Sequence, residues 1–501
     1  MTAKKPYSPG YFEITMHQFG KNKLAVGGIV IILLLFAVAC FAPLIANEKP
    51  LAVRGSFPEK YEDIFYALCS NASIYMNAHK AVSENQSDDL LRLRKYREYT
   101  FRSFNRLRPY IPADIRGSYL EYRQNILAEI DKKNYDAARS YIEQFENTFL
   151  LDDSDIEPIT LFPALSNLSA LEMFFMLFYP LILFLILKNL FRGSSRPLKV
   201  KKGFIVCFLM AFFGAILWNI LNPTVFDPTN YKRIVNDTSI CHWAIFAPVP
   251  YGENENLISE ASAKPTWLMP KDQRTDNYHV LGTDTNGRDV LTRMIMGTRI
   301  SMSVGFIAVG ICLFIGIFFG AIAGYFRGKT DLLISRLIEI VICFPVFFLI
   351  LTVLAFLRPS IVNIMVVIGI TGWTGIARLC RGEFLKLVNQ DFVTAAQALG
   401  ASNLRTIFKH ILPNGMGPIL VSVSFGIAGA ILTESALSFL GFGVPQPTAS
   451  WGDLLNNGRS DIQGTWWLTM FPGLAIFIAV TAFNLAGEGL RDALDPRLKK
   501  Q

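Results

Sequence analysis

Eight apolar stretches, at roughly 24–46, 172–191, 203–222, 299–325, 332–357, 361–379, 417–441 and 465–487, constrain this chain more than anything else in it. Each approaches the ~20 residues that an α-helix needs to cross the hydrocarbon core of a bilayer. Lipid offers the backbone no hydrogen-bonding partner, so segments of this kind span as helices. The sequence therefore predicts an all-α polytopic membrane protein. Composition agrees, since 51% of the residues are hydrophobic and 18% charged. The first stretch follows Lys21 and Lys23 and holds Ala37-Val38-Ala39-Cys40, a faint lipoprotein-like sequence; its length reads as an uncleaved anchor.

Loop charge sets the orientation. Lys4, Lys5, Lys21 and Lys23 stand against Glu13 before the first stretch, which places the N-terminus in the cytoplasm. With the spans alternating, the Lys188–Lys202 loop, with six basic and no acidic residues, falls on the same side, as do Arg327, Lys329 and the tail with Arg497, Lys499 and Lys500. The net charge of +8 is thus a membrane-protein signature. No basic run interleaved with aromatics points to nucleic acid.

The expected organisation is a cytoplasmic N-terminus with the first span (1–46), an extracytoplasmic helical insert (47–171), a two-span hairpin (172–222), an extracytoplasmic segment (223–298) and a final membrane region (299–501). Asp88–Arg108 and Ser118–Phe149 carry charges on a helical period with Leu, Tyr, Ile and Phe between them, which predicts a small helical outer domain.

One cytoplasmic loop stands apart. In Asp391–Asn414, Phe392, Ala395, Ala396 and Leu399 share one helical face, and Leu404, Ile407, Phe408, Ile411 and Leu412 share another. Asp391 and Ser402 are placed as N-caps, Gly400 as the left-handed residue ending the first helix, and Pro413 as the stop of the second. Arg405, Lys409 and His410 make the opposite side basic. Two short amphipathic helices at 391–413 with paired small residues form a docking surface for a soluble partner.

Catalytic motifs fail on inspection. Gly328-Lys329-Thr330 ends like a phosphate-binding loop, but Ala323 stands where that loop needs glycine and a membrane span precedes it. If ATP is used, another chain binds it. The histidines at 17, 79, 242, 279 and 410 are scattered, no metal-ligand spacing occurs, and an enzyme is unsupported. Two acids fall within the apolar stretches and are costly there. Glu339 follows Arg336 by three residues and reads as its ion-pair partner; Glu434, beside Thr433 and Ser435, faces either a water-filled path or the packed bundle. Gly316, Gly320 and Gly324 make a small-residue stripe for close helix packing. Cys69 and Cys241 lie outside every span and on one side, a candidate disulfide in an oxidising compartment.

The loop Thr394-Ala395-Ala396, then Gly400 and Leu412-Pro413, resembles the cytoplasmic hallmark of the permease subunits of ATP-binding cassette importers. Thr394 stands in place of the usual acid and His410 in place of isoleucine. Leu281-Gly282-Thr283-Asp284, Gly287-Arg288-Asp289-Val290, Ser438-Phe439-Leu440-Gly441, Trp451-Gly452, Phe471-Pro472-Gly473 and Gly489 to Arg497 make the likeness specific to the second permease of dipeptide and oligopeptide systems. The likeness covers about 1–46 and 275–500.

That resemblance implies a six-span permease core, with 172–191 and 203–222 as an inserted hairpin that preserves the direction of everything downstream. It implies location in the bacterial cytoplasmic (inner) membrane with both termini cytoplasmic, and partners: a homologous permease, two ATPases carrying ATP and Mg, an extracytoplasmic binding protein, and surrounding lipid. No cofactor would sit on this chain. Coupling to the ATPase would fall to Asp391, Thr394, Ala395, Ala396, Gly400, Leu404, Arg405, Ile407, Phe408, His410, Leu412 and Pro413, with Glu434 and Ser435 as candidates for the pathway. The cargo stays open between di- or oligopeptides and nickel or another small solute. An ion-driven secondary transporter using Glu434 or Glu339 is the competing class.

Overall fold

The structure, a computed structural model, describes residues 18–85, 90–153, 155–192, 197–222, 229–236, 240–273 and 277–494. Lys4, Lys5, Glu13, Arg196 and the tail from Asp495, with Arg497, Lys499 and Lys500, lie outside the described residues. The chain forms two compact units, one of Met1–Asn47, Leu168–Asn222 and Tyr251–Gln501, the other of Glu48–Asn167 and Pro223–Pro250.

In chain order the elements used below begin with α1 (Lys23–Ile45), β1 (Ala52–Gly55), α2 (Pro58–Asn85), α3 (Leu90–Leu107), α4 (Arg116–Asp131), α5 (Tyr135–Phe149), β2 (Ile159–Leu161), α6 (Ala170–Arg192), α7 (Pro197–Leu221) and β3 (Cys241–Ile245). They continue with α8 (Val290–Phe326), α9 (Gly328–Ile342), α10 (Val346–Phe356), α11 (Ile361–Leu387), α12 (Asp391–Ala398), α13 (Asn403–Phe439), α14 (Trp451–Gly458) and α15 (Trp467–Leu494).

In the first unit, α1, α7, α8, α11, α13 and α15 are long and apolar enough to cross a membrane. The eight expected spans need two corrections. The stretch at 332–357 is two helices, α9 and α10, bent by 77°. Pro345 explains the break: it has no N–H to give and pushes Phe344 out of the helical region. In α6 the apolar part runs only over Ala170–Ile186, shorter than the rest.

The glycine stripe packs α8 along α11. A Cβ at Gly316 would lie 2.7 Å from that of Ile376, and one at Gly320 would lie 2.6 Å from the Ala377 carbonyl oxygen, so only glycine lets the two backbones come this close. The hairpin helix α6 is tied to this bundle. Ser169 and Glu172 form a capping box, in which the Glu172 carboxylate accepts from the Ser169 N–H at 2.8 Å and the Ser169 hydroxyl accepts from the Glu172 N–H at 3.3 Å. The other Glu172 oxygen pairs with Arg299 of α8 at 2.8 Å, and the Tyr179 hydroxyl donates to the Leu33 carbonyl of α1 at 2.7 Å.

The segment from Tyr251 to Asp289 belongs to this unit and seats the first turn of α8 in buried charges. Asp289 caps the helix, its Oδ2 accepting from the Thr292 N–H at 2.7 Å, while its Oδ1 lies 2.9 Å from His279 Nδ1. Glu260 holds the other imidazole nitrogen at 2.8 Å, and Tyr251 stacks on the ring with centroids 4.5 Å apart. Arg288 donates to Asp284 at 2.7 Å.

The second unit corrects the purely helical expectation. Four helices, α2 to α5, share it with an antiparallel three-stranded sheet in the order β2-β1-β3, Val53 facing Leu161 on one side and Ala244 on the other. The helices bury an aromatic core. Ala138, Ile142, Phe145 and Phe149 line one side of α5, and Phe145 packs on Phe149, Phe65 and Phe104 at centroid separations of 4.8, 5.9 and 5.7 Å. Each such pair adds about 0.5–1.5 kcal/mol beyond its buried area. Tyr119 is buried with its hydroxyl satisfied by the Phe104 carbonyl at 2.6 Å. Cys69 and Cys241 are both buried and both free, so the expected bridge is absent. Their neighbours differ: the Cys241 thiol lies 3.8 Å from the Arg54 carbonyl in the sheet, whereas burial and the nearby Glu146 push the Cys69 thiol up to about 12.

Candidate functional site

The Asp391–Asn414 loop forms a helix that ends at a glycine and a second helix that does not end where the sequence suggested. In α12, Gln390 is the N-cap and Asp391 opens the first turn, where its charge complements the helix dipole. The helix closes as a Schellman motif: Gly400, at φ +81°, donates to the Gln397 carbonyl at 2.9 Å, and Ala401 donates to the Ala396 carbonyl at 3.0 Å. Ser402 then caps the next helix, its hydroxyl accepting from the Arg405 N–H at 3.4 Å.

Pro413 does not stop that helix. The chain runs on as α13 from Asn403 to Phe439. A π-helical turn over Thr406–Ile411 makes this feasible, with the Leu412 N–H reaching back five residues to the Ile407 carbonyl. The widened ladder absorbs the donor that proline lacks, and the Asn414 side-chain amide donates to the His410 carbonyl at 2.7 Å. The second amphipathic segment is therefore continuous with a candidate span.

Burial divides this element into two faces. Val393, Ala396, Ile407 and Ile411 are buried, and Val393, Ile407 and Ile411 share one cluster with Phe384, Cys380 and Tyr325. On the other face Leu399 is 88% exposed, Leu404 70%, Phe408 59% and Phe392 40%. Thr394, Ala395 and Arg405 are also exposed, and His410 and Leu412 are half-buried. The stripe of Phe392, Ala395 and Leu399 is thus the outward face, and Val393, which the periodicity passed over, is the anchor. Thr394 turns its hydroxyl back to the Asp391 carbonyl at 3.0 Å.

The membrane unit also holds a cavity of about 380 Å³. Val309 and Cys312 of α8, Ile350 of α10 and Ile368, Gly372 and Ile376 of α11 line it, with Ser422, Gly426, Gly429 and Thr433 from α13. No charged side chain is among its lining residues. Glu434 and Ser435 are absent from this lining. Glu434 is fully buried on another face of α13, accepting from the Ser438 hydroxyl at 2.8 Å and the Ser301 hydroxyl of α8 at 3.4 Å. Glu339 pairs with Arg336 at 2.6 Å, both side chains exposed.

Residues 316–500 match the model of the binding-protein-dependent transport system inner membrane component, and residues 10–66 match the N-terminal TM domain of oligopeptide transport permease C. The dipeptide transport system permease protein DppC of Alkalihalophilus pseudofirmus is 41% identical over 262 residues, 52% of this chain and 84% of that protein. The oligopeptide transport system permease proteins OppC of Bacillus subtilis and Haemophilus influenzae are 40% and 43% identical, over 51% and 50% of this chain and 82% and 78% of theirs. Proteins of this kind are non-catalytic transport components that work with an ATPase and a binding protein. The chain belongs to the family of inner-membrane permease subunits of binding-protein-dependent ABC importers, in the branch that holds the OppC and DppC peptide permeases.

Proposed function

We propose that this chain is one half of the translocation pathway of an ATP-driven importer of di- or oligopeptides. A homologous permease supplies the other half, two cytoplasmic ATPases bind ATP and Mg, and an extracytoplasmic binding protein delivers the peptide. The relatives named above transport dipeptides and oligopeptides, and the cavity lining suits them: uncharged walls with the hydroxyls of Ser422 and Thr433 accept a peptide backbone without selecting side-chain charge. In this reading both termini are cytoplasmic, α6 and α7 are an inserted hairpin beside a six-span core, and the unit of Glu48–Asn167 and Pro223–Pro250 is extracytoplasmic.

The observation that carries the reading is the exposed apolar face of Phe392, Leu399, Leu404 and Phe408 on an element whose other face is anchored by Val393, Ile407 and Ile411. Four large apolar side chains exposed at one cytoplasmic element fit a docking surface for an ATPase. Closure of the ATPase pair on ATP then biases the bundle between two states.

Gly400 offers the test. A Cβ there meets nothing within 4 Å, so a bulky side chain enters open space; because φ is +81° any side chain strains the turn, and Gly400→Ala, equally strained but small, is the control that should keep uptake. Gly400→Trp is expected to insert and assemble yet abolish peptide uptake; normal uptake by this variant refutes the assignment.

A further inference from the structure

Two routes lead from the docking element into the bundle. One is covalent, through the unbroken helix α13. The other runs through a single hydroxyl. Tyr325, in the last turn of α8, donates to the Asn403 side-chain oxygen at 2.9 Å and accepts from the Gln397 side-chain amide at 3.3 Å. Gln397 lies on α12 and Asn403 opens α13, so one phenol joins both arms of the element across Gly400. The ring is buried in the cluster that holds Val393, Ile407 and Ile411. Two residues on, Arg327 donates to Asn389 at 2.8 Å, just before α12 begins. The end of α8 thus grips the docking element at three side chains.

The same helix reaches the cavity. Val309 and Cys312 line it from positions roughly 20–24 Å along α8 from Tyr325, at 1.5 Å per residue. A helix packed along α11 by the glycine stripe moves as a rod, so displacement of α12 reaches the cavity wall through Tyr325 as well as through α13.

We propose that Tyr325 is a positioning residue for transport: its hydroxyl clamps Gln397 to Asn403 and makes α8 follow the docking element. This rests on the coupling role assigned to that element. A phenol is suited to the task because it donates and accepts through one oxygen at the end of a rigid ring. The hydroxyl is not needed for burial of the ring, so Tyr325→Phe separates the two functions.

The experiment uses the whole importer in proteoliposomes, with subunit stoichiometry, peptide uptake and ATP hydrolysis measured on the same preparation. Tyr325→Phe is expected to leave assembly and basal ATP hydrolysis in place and to lower peptide delivered per ATP roughly five-fold, the scale of one ordinary hydrogen bond. Gln397→Ala combined with Asn403→Ala should give a similar loss, and adding Tyr325→Phe to that pair should cost nothing more. A wild-type ratio for Tyr325→Phe, or losses that simply add, overturns the proposal provided Gly400→Trp is uncoupled in the same assay. If Gly400→Trp also transports normally, the coupling reading fails and this proposal falls with it.

Discussion

Arg293 donates to Asp453 at 2.8 Å with its own side chain entirely buried, joining the first turn of α8 to α14 across 160 residues of sequence. Its Nη1 donates to the carbonyls of both Glu253 and Pro447, at 3.2 and 3.3 Å, and its Nε lies 3.7 Å from the Asp284 carboxylate. Replacing only one member strands a charge in the interior, which costs about 3–5 kcal/mol. Arg293→Met alone should therefore lower the unfolding midpoint of the purified chain sharply. Arg293→Met together with Asp453→Leu should recover much of it, because the uncompensated charge is gone.

His279 gives a pH dependence with a definite sign. Burial opposes its charge, but Asp289 and Glu260 on its two nitrogens outweigh that and raise its pKa above the ordinary 6.5. The folded state holds the proton more tightly than the unfolded state. The contribution is fully present below about pH 6.5 and lost as pH rises through the folded value. Thermal melts should show the advantage of wild type over His279→Gln shrinking from pH 6 to pH 9, with Tyr251, stacked on the ring, unchanged between the two.

Glu434 separates the two transport classes. A glutamine keeps the bond from the Ser438 hydroxyl on its oxygen and can donate its amide to the Ser301 hydroxyl, whereas Glu434→Ala removes the acceptor of both at a cost of about 1–3 kcal/mol each. Glu434→Gln should keep ATP-driven uptake near wild type with no change in its pH profile. A proton-coupled carrier would lose transport with this substitution even when ATP is supplied.

The two faces of the 391–414 element should respond differently to truncation. Val393→Ala removes two buried methyl groups and should lower stability by about 1.6 kcal/mol, at ~0.8 kcal/mol per carbon. Leu399→Ala, at an 88% exposed position, should leave the melting midpoint of the isolated chain unchanged while weakening ATPase binding. Melting and pull-down on the two variants distinguish anchor from docking face.

Local chemistry made much of this legible in advance. Gly400 and Ser402 could be placed from residue type alone, because a Schellman ending and a hydroxyl N-cap each need a particular side chain. The periodicity of 391–399 picked out the exposed stripe of Phe392, Ala395 and Leu399 but put Ala396 with it, because a neighbouring face, Val393 and Ala396, is also apolar. Spacing identifies apolar faces but does not say which one the chain keeps for itself. Pro413 misled because a π turn ending two residues before it, at Ile411, changes what a proline costs, and no residue there announces it. The sheet escaped notice because its strands are three to five residues long and its pairings join segments far apart, as Val53 does with Ala244. His279 looked like one of five scattered histidines; its partners Glu260 and Asp289 lie 19 and 10 residues away.

On the proposed function, Leu404 and its neighbours form the surface on which a cytoplasmic ATPase sits. Cysteine crosslinking tests this most directly: Leu404→Cys is introduced, the importer is expressed with its ATPases, and intact cells and membranes are treated with a short bifunctional thiol reagent. The expected result is an adduct between this chain and the ATPase that depends on Leu404→Cys and changes in yield with ATP, and no labelling of that position by a membrane-impermeant maleimide added outside. Labelling from outside, or an ATPase adduct no stronger than that of the unsubstituted chain, contradicts it.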